Sequence, residues 1–139
     1  MAPSPKITIS KAVRGMSIWI LVMDDDPFTR EALGDILGRA GYRVTHMEGV
    51  RTEVEAQRYP QQYQVAVVDY HLPHLDGLEV AKRLKKLQPD CRIILISSEL
   101  HHLPELAGQS GVVDYFLAKP FSKDAILEVI AQLCPNPTY

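Results

Sequence analysis

Four short apolar runs in the sequence each end in polar side chains that can do chemistry. These are the carboxylates Asp24, Asp25 and Asp69, the hydroxyl of Ser97 and the ammonium group of Lys119. If the runs are parallel strands of one sheet, their carboxyl ends meet at one edge and these groups converge there. Carboxylates, a hydroxyl and a cation together resemble a phosphoryl-transfer site in which the protein itself provides the nucleophile.

Three carboxylates at one sheet edge repel each other, since one pair ~4 Å apart costs about 4 kcal/mol at an effective dielectric of roughly 20. We therefore expect a bound cation. Hard oxygen ligands beside a phosphate site favour Mg²⁺ over zinc or copper. Ser97 and Lys119 can hold phosphoryl oxygens, and Asp69 can accept the phosphoryl group.

The elements that must position these groups alternate as five βα units. Residues 65–68 are all apolar and β-favouring, which is typical of a strand covered on both faces. The predicted strands are residues 18–23, 42–47, 65–69, 93–96 and a fifth that runs from 112 or 113 to 118.

Apolar residues at i, i+4 spacing predict helices over residues 28–40, 78–87 and 123–133, with a weak helix at 52–58 and a short one after Pro104. Asp26 before Pro27 and Ser122 are expected N-caps, and Gly41 is an expected C-terminal cap. This alternation predicts an α/β fold: a single doubly wound (βα)5 domain with a parallel five-stranded sheet of order 2-1-3-4-5.

The bulk properties allow one domain in 139 residues, which we expect at 17–134, with a flexible extension at 1–16 and a tail at 135–139. A net charge of −2 without a basic tail argues against direct nucleic-acid binding. The apolar run at 18–23 is far shorter than the ~20 residues of a membrane span. Cys91 and Cys134 fit a reduced, cytoplasmic protein.

Four sequence motifs together carry a family resemblance. They are LVMDDDP at 21–27, VDYHLPHLDG at 68–77, ISS at 96–98 and AKPF at 118–121. Each motif alone is weak, but all four in this order and spacing are highly specific. The chain resembles, over roughly residues 17–134, the flavodoxin-like receiver domain of two-component response regulators.

The resemblance implies a role for each matching residue. Asp69 corresponds to the phosphoacceptor, which receives its group from a phosphohistidine on a sensor histidine kinase or a histidine phosphotransfer protein. Asp25 corresponds to the direct Mg²⁺ ligand and Asp24 to a ligand acting through water, while Asp69 and the backbone carbonyl of His71 complete the protein's share. Lys119 corresponds to the lysine that pairs with the phosphoryl group or, without it, with an acid.

The resemblance also implies a switch. Ser97 would move toward the phosphoryl group, and an aromatic ring, Phe116 or its neighbour Tyr115, would follow. The readout would be the face formed by the fourth helix, fifth strand and fifth helix (α4-β5-α5 of the family), through which an output partner or a second copy could dock. Such a domain is not an enzyme in the ordinary sense, because it catalyses only its own phosphorylation and dephosphorylation. It could stand alone in a phosphorelay or be part of a longer regulator or hybrid kinase.

Other functions compete with this interpretation. A non-phosphorylated interaction module of the same fold would not need the acidic pocket. A flavodoxin-like FMN protein needs a glycine- or hydroxyl-rich phosphate loop where this chain has three acids at 24–26. An aspartyl-phosphate phosphatase needs a second acid two residues after Asp69, where this chain has His71. The histidines lack zinc-ligand spacing, and the basic run at 82–86 fits the solvated side of a helix.

Overall fold

Five parallel strands form one continuous sheet in the computed structural model, which describes residues 17–47, 62–73, 76–98 and 111–134. The strands lie in the order β2-β1-β3-β4-β5, and each adjacent pair is parallel. Their bounds are β1 Trp19–Met23, β2 Arg43–Met47, β3 Val65–Asp69, β4 Arg92–Ser97 and β5 Tyr115–Ala118. The predicted fold class and strand order are confirmed.

Three helices are described: α1 Pro27–Arg39, α2 Gly77–Leu87 and α3 Lys123–Leu133. The predicted caps are confirmed, because the Asp26 side chain accepts the Phe28 N–H at 3.1 Å and Ser122 Oγ accepts the Ala125 N–H at 3.0 Å. Gly41 follows the end of α1 with φ at 102°, a conformation in which glycine has no Cβ clash. The helices predicted at 52–58 and after Pro104 lie outside the described residues.

The hydrophobic core lies on both faces of the sheet, because successive strand residues point to opposite sides. One face packs Leu21, Val68 and Leu95 against Leu84 of α2. The other face packs alternate residues of the same strands against α1 and α3, with Leu33, Leu37, Ile126 and Ile130 among its members. All five residues of β3 are buried, and the apolar run at 65–68 predicted a strand covered on both faces.

The predicted start of β5 was wrong, because β5 begins at Tyr115 and not at residue 112 or 113. The physical reason is Asp114, whose Oδ2 accepts the backbone N–H of Ile93 at 2.8 Å. In a longer β5, a backbone carbonyl of β5 would accept the N–H of Ile93. The Asp114 carboxylate accepts it instead. Lys85 Nζ forms an ion pair with the same carboxylate at 3.2 Å. Side-chain contacts of Asp114 therefore stabilise the chain just before β5 begins.

Within the described ranges, no helix combines the length and apolar character that crossing a bilayer requires. Cys91 is buried and Cys134 is half-buried, and both are free thiols. Burial raises the pKa of the Cys91 thiol to about 12, so this cysteine is chiefly a core residue.

Candidate functional site

The carboxyl end of β1 presents the acidic run. Asp24 is fully buried, and its backbone N–H donates to the carbonyl of Met47 at the end of β2, at 3.1 Å. Its Oδ1 accepts the Asp26 N–H at 2.9 Å, which closes a tight loop between β1 and α1. Asp25 is exposed beside it. Asp26 belongs to the helix cap, since Oδ2 accepts the Thr29 hydroxyl at 2.7 Å.

The carboxyl end of β3 presents Asp69, which is only 5% exposed. Its Oδ1 accepts the backbone N–H of His71 at 3.3 Å. Burial, and then the charge of Asp24, raise the pKa of Asp69 to about 6, although Lys119 and the His71 N–H act in the opposite direction. The carboxyl is therefore mostly ionised near neutral pH, as a nucleophile must be.

Lys119 joins the two strand ends. Its Nζ donates to Asp24 Oδ2 at 3.0 Å and to Asp69 Oδ2 at 3.3 Å. Burial by itself lowers the pKa of Lys119, but the hydrogen bonds and charges of the two aspartates outweigh it, so the net pKa is raised. Lys119 lies after β5, in front of a cis peptide bond to Pro120, and its N–H donates to the carbonyl of Ser97 at 2.9 Å.

The acidic groups are close enough to share a metal ion. One carboxylate oxygen from each of Asp24, Asp25 and Asp69 lies within 4.8 Å of the others. Two of these residues are buried and one is exposed, so the cluster is held by the fold and remains open on one side. Three hard oxygen donors with room for water fit Mg²⁺. The donor set therefore suits the ion that the sequence predicts.

The remaining predicted site residues lie at or near the same edge. Ser97 is fully buried at the end of β4, one residue after Ile96, which pairs with Asp69 in the ladder. Phe116 pairs with Leu95 and packs, half-buried, against the core face that includes α2. Tyr115 is 39% exposed. The exposed His71 ring meets the Tyr70 ring edge-on, with centroids 5.1 Å apart.

A groove of about 490 Å³ adjoins the site between α1 and the segment that precedes α3. Phe28, Leu33, Lys119 and Phe121 are among the residues that line it, and the Phe28 side chain is 82% exposed. Lys119 is thus accessible from solvent through this groove. Its side chain keeps 23% exposure while both of its carboxylate partners are buried.

Sequence reasoning missed two residues that shape the site. Arg30 of α1 donates from Nη1 to the backbone carbonyl of Asp24 at 3.0 Å. Gly77, at the start of α2, donates its N–H to the carbonyl of Tyr70 at 2.6 Å, directly behind Asp69. The available signals were a basic residue four positions after the Asp26 cap and a glycine at the first helical position after Asp76.

Comparisons with known proteins agree with this geometry. The model of the response regulator receiver domain family matches residues 20–131. Response regulator MprA of Mycobacterium ulcerans is 36% identical over 115 residues, which cover 81% of this chain and 48% of MprA. The peroxide stress-activated histidine kinase mak3 of Schizosaccharomyces pombe is 28% identical over 144 residues, 99% of this chain and 6% of that kinase. The chain thus spans about half of one of these relatives and a small part of the other.

A solved structure supports the same assignment. Response regulator TrrA of Thermotoga maritima, in complex with Mg²⁺ and BeF, superimposes with a TM-score of 0.70 at 31% identity, covering 84% of this chain and 98% of TrrA. The family match, the strand order and the clustered strand ends lead to one conclusion. The chain belongs to the response regulator receiver domain family of two-component signalling.

Proposed function

We propose that this receiver accepts a phosphoryl group on Asp69 from a phosphohistidine of a sensor histidine kinase or histidine phosphotransfer protein. The observation that carries the proposal is one ammonium group, Lys119 Nζ, in contact with two buried carboxylates, Asp24 and Asp69. Burying two acids is unfavourable unless they serve as ligands or pair with a cation. Here they stand at the one sheet edge where an external phosphodonor can reach them.

Mg²⁺ is the proposed cofactor, held by Asp24, Asp25, Asp69 and the backbone carbonyl of His71. The 4.8 Å cluster of carboxylate oxygens supports the first three ligands. The complex of the relative TrrA with Mg²⁺ and BeF supports the choice of metal. When bound, the ion would offset the charge of the carboxylates and of the incoming phosphoryl oxygens.

The proposed reaction is an in-line displacement at phosphorus. An Asp69 carboxylate oxygen attacks, the P–N bond to the donor histidine breaks, and the imidazole leaves with the electron pair, so that an acyl phosphate forms. Lys119 then holds a phosphoryl oxygen in place of its bond to Asp69. Attack of water on the acyl phosphate later restores the carboxylate and releases inorganic phosphate. In this scheme the chain catalyses only its own phosphorylation and dephosphorylation.

The proposed switch uses Ser97 and Phe116. The buried Ser97 hydroxyl is on the strand next to Asp69, which supports a move toward the phosphoryl group. Phe116 is favoured over Tyr115 as the moving ring because Phe116 packs on the core, whereas Tyr115 is exposed. The switched surface would be β5, α3 and the segment after β4, where an output partner or a second copy docks.

The proposed unit is residues 17–134, with 1–16 as an extension and 135–139 as a tail. The family match over residues 20–131 lies inside these bounds. We place the protein in the cytoplasm, where its two free cysteines remain reduced.

The test is intact-mass spectrometry after incubation with acetyl phosphate, with and without Mg²⁺. We expect a single base-labile phosphoryl adduct in the wild-type protein that requires Mg²⁺ and is absent from Asp69→Asn. The matched control is Asp76→Asn, which changes a helix-cap acid outside the cluster and keeps the adduct. Steady consumption of acetyl phosphate without adduct would favour a phosphatase, and no reaction would favour a non-phosphorylated interaction module.

A further inference from the structure

Among the described residues, four hydrogen bonds hold Asp24, and one of them comes from a residue with no predicted role. The carboxylate accepts from the Asp26 N–H and from Lys119, and the backbone N–H donates to Met47. The fourth bond joins the backbone carbonyl of Asp24 to Nη1 of Arg30, at 3.0 Å. Through this bond Arg30 acts on the backbone of the acidic loop.

The direction of the Arg30 side chain follows from its place in α1. Asp26 caps the helix, and the Arg30 N–H donates to the Asp26 carbonyl at 3.0 Å, as the first helical hydrogen bond. Side chains on a helix lean toward its N-terminus. A long side chain one turn into α1 therefore reaches back over the cap to the end of β1.

The guanidinium of Arg30 is also near the second strand. Burial, and then the charge of Arg30, lower the pKa of His46 on β2. The His46 ring lies against α1 at Gly34, where a Cβ would be 2.5 Å from the ring carbon Cε1. Arg30 of α1 thus contacts the end of β1 directly and acts on His46 of β2 through its charge.

The bond to the Asp24 carbonyl has a consequence for Asp25. The peptide group that joins Asp24 to Asp25 is rigid and planar, so a guanidinium that holds its carbonyl oxygen also sets the direction in which the chain enters Asp25. Asp24 and Asp25 supply two of the three carboxylates of the cluster. One hydrogen bond therefore orients both.

We propose that Arg30 is a positioning residue for the acidic cluster, which sets the affinity for Mg²⁺ by fixing the peptide between Asp24 and Asp25. The inference rests on the proposed Mg²⁺-dependent function. A positioning role predicts that replacing Arg30 weakens Mg²⁺ binding. Simple electrostatics predicts the opposite, because a nearby cation repels Mg²⁺ and its removal should strengthen metal binding. Loss of a group that orients metal ligands weakens metal binding, in known cases by about 10–100-fold.

The experiment measures Mg²⁺ affinity by calorimetry in the wild type and in Arg30→Gln, Arg30→Met and Arg30→Lys. We expect the Gln and Met variants to bind about tenfold more weakly, and the Lys variant, which keeps a donor and the charge, to recover most of the affinity. The control is Arg39→Gln, on the same helix but paired only on the surface with Asp35, and its affinity should equal that of the wild type.

A second measurement, without added metal, follows hydrogen exchange at the Asp26 amide, which donates to Asp24 Oδ1. We expect faster exchange in Arg30→Gln than in Arg39→Gln, because the loop loses its anchor. Equal or tighter Mg²⁺ binding in Arg30→Gln and Arg30→Met would overturn the inference while leaving the proposed function intact. A wild-type protein that binds no Mg²⁺ would overturn both.

Discussion

At the scale of single residues, Asp69 occupies a position where its charged form is unfavourable. Burial and the neighbouring Asp24 raise the pKa of Asp69 from the ordinary 3.8 to about 6. The folded protein therefore keeps this proton across a pH range in which the unfolded chain has lost it. Because the folded state binds more protons there, stability falls as the pH rises from about 4 to about 6 and stays lower above that range.

It follows that Asp69→Asn should stabilise the protein at pH 7 when no Mg²⁺ is added. The raised pKa of Asp69, which already includes the contact with Lys119, corresponds to roughly 3 kcal/mol, and we expect a gain of about 1–2 kcal/mol because water at the open side of the site screens part of the charge. Denaturant unfolding at about pH 4 and at pH 7 checks this, since the gain should vanish at the lower pH. Asp35→Asn, on the surface of α1, is the control, and a less stable Asp69→Asn at pH 7 would contradict the expectation.

The site residues differ in how far sequence alone could place them. Asp24, Asp69, Ser97 and Lys119 each end an apolar run, and parallel strands bring such ends together. The family resemblance implied that Lys119 pairs with an acid when no phosphoryl group is present, but its contact with two carboxylates at once was not predicted, because it depends on how far the side chain reaches past the neighbouring strand ends. The contact of Arg30 with a backbone carbonyl has only a weak sequence signal, a basic residue four positions after the Asp26 cap.

At the scale of elements, α2 starts in direct contact with the backbone of the acceptor. A Cβ on Gly77 would lie 2.7 Å from Tyr70 Cα and 2.8 Å from the carbonyl carbon of Asp69. Backbone atoms at the end of a buried strand cannot move aside as a flexible side chain can. Gly77 therefore allows α2 to approach the strand end, and this approach helps to set the position of Asp69.

Gly77→Ala should lower the free energy of unfolding by about 2–3 kcal/mol and slow adduct formation with acetyl phosphate. The matched control is Gly38→Ala in α1, where a Cβ meets no atom within 4 Å. That change should raise stability by about 0.5–1 kcal/mol, because alanine favours a helix over glycine. Urea unfolding of both variants checks the opposite signs, and equal effects would show that Gly77 is replaceable.

The boundaries of elements were predictable where local chemistry decides them. Asp26 and Ser122 cap the N-terminal ends of their helices through their own side chains, so these starts were predictable from residue type. The start of β5 was not, because Asp114 takes the Ile93 N–H from a strand distant in sequence. Tertiary side-chain bonds of this kind override an apolar pattern such as Val112-Val113.

At the scale of the whole molecule, the strand order creates the site. β1 and β3 are neighbours although β2 lies between them in sequence, so the direction in which successive strands are added to the sheet reverses between β1 and β3. Asp24 and Asp69 end these two neighbouring strands, and the core on both sheet faces makes their backbone rigid. The repulsion between the carboxylates is thus fixed by the fold, and a bound cation should stabilise the entire domain.

Mg²⁺ binding should therefore appear as thermal stabilisation of the domain. If Mg²⁺ binds the folded state alone, a concentration of 100 times Kd adds about 2.7 kcal/mol, which raises Tm by roughly 8–14 °C for a domain of this size. Asp25→Asn should lose most of this Mg²⁺-induced shift. The neighbouring Asp26→Asn should keep it, because the Asp26 oxygens serve the α1 cap and asparagine is an equally good cap. Thermal unfolding with and without Mg²⁺ separates the two adjacent acids, and an unchanged shift in Asp25→Asn would remove Asp25 from the ligand set.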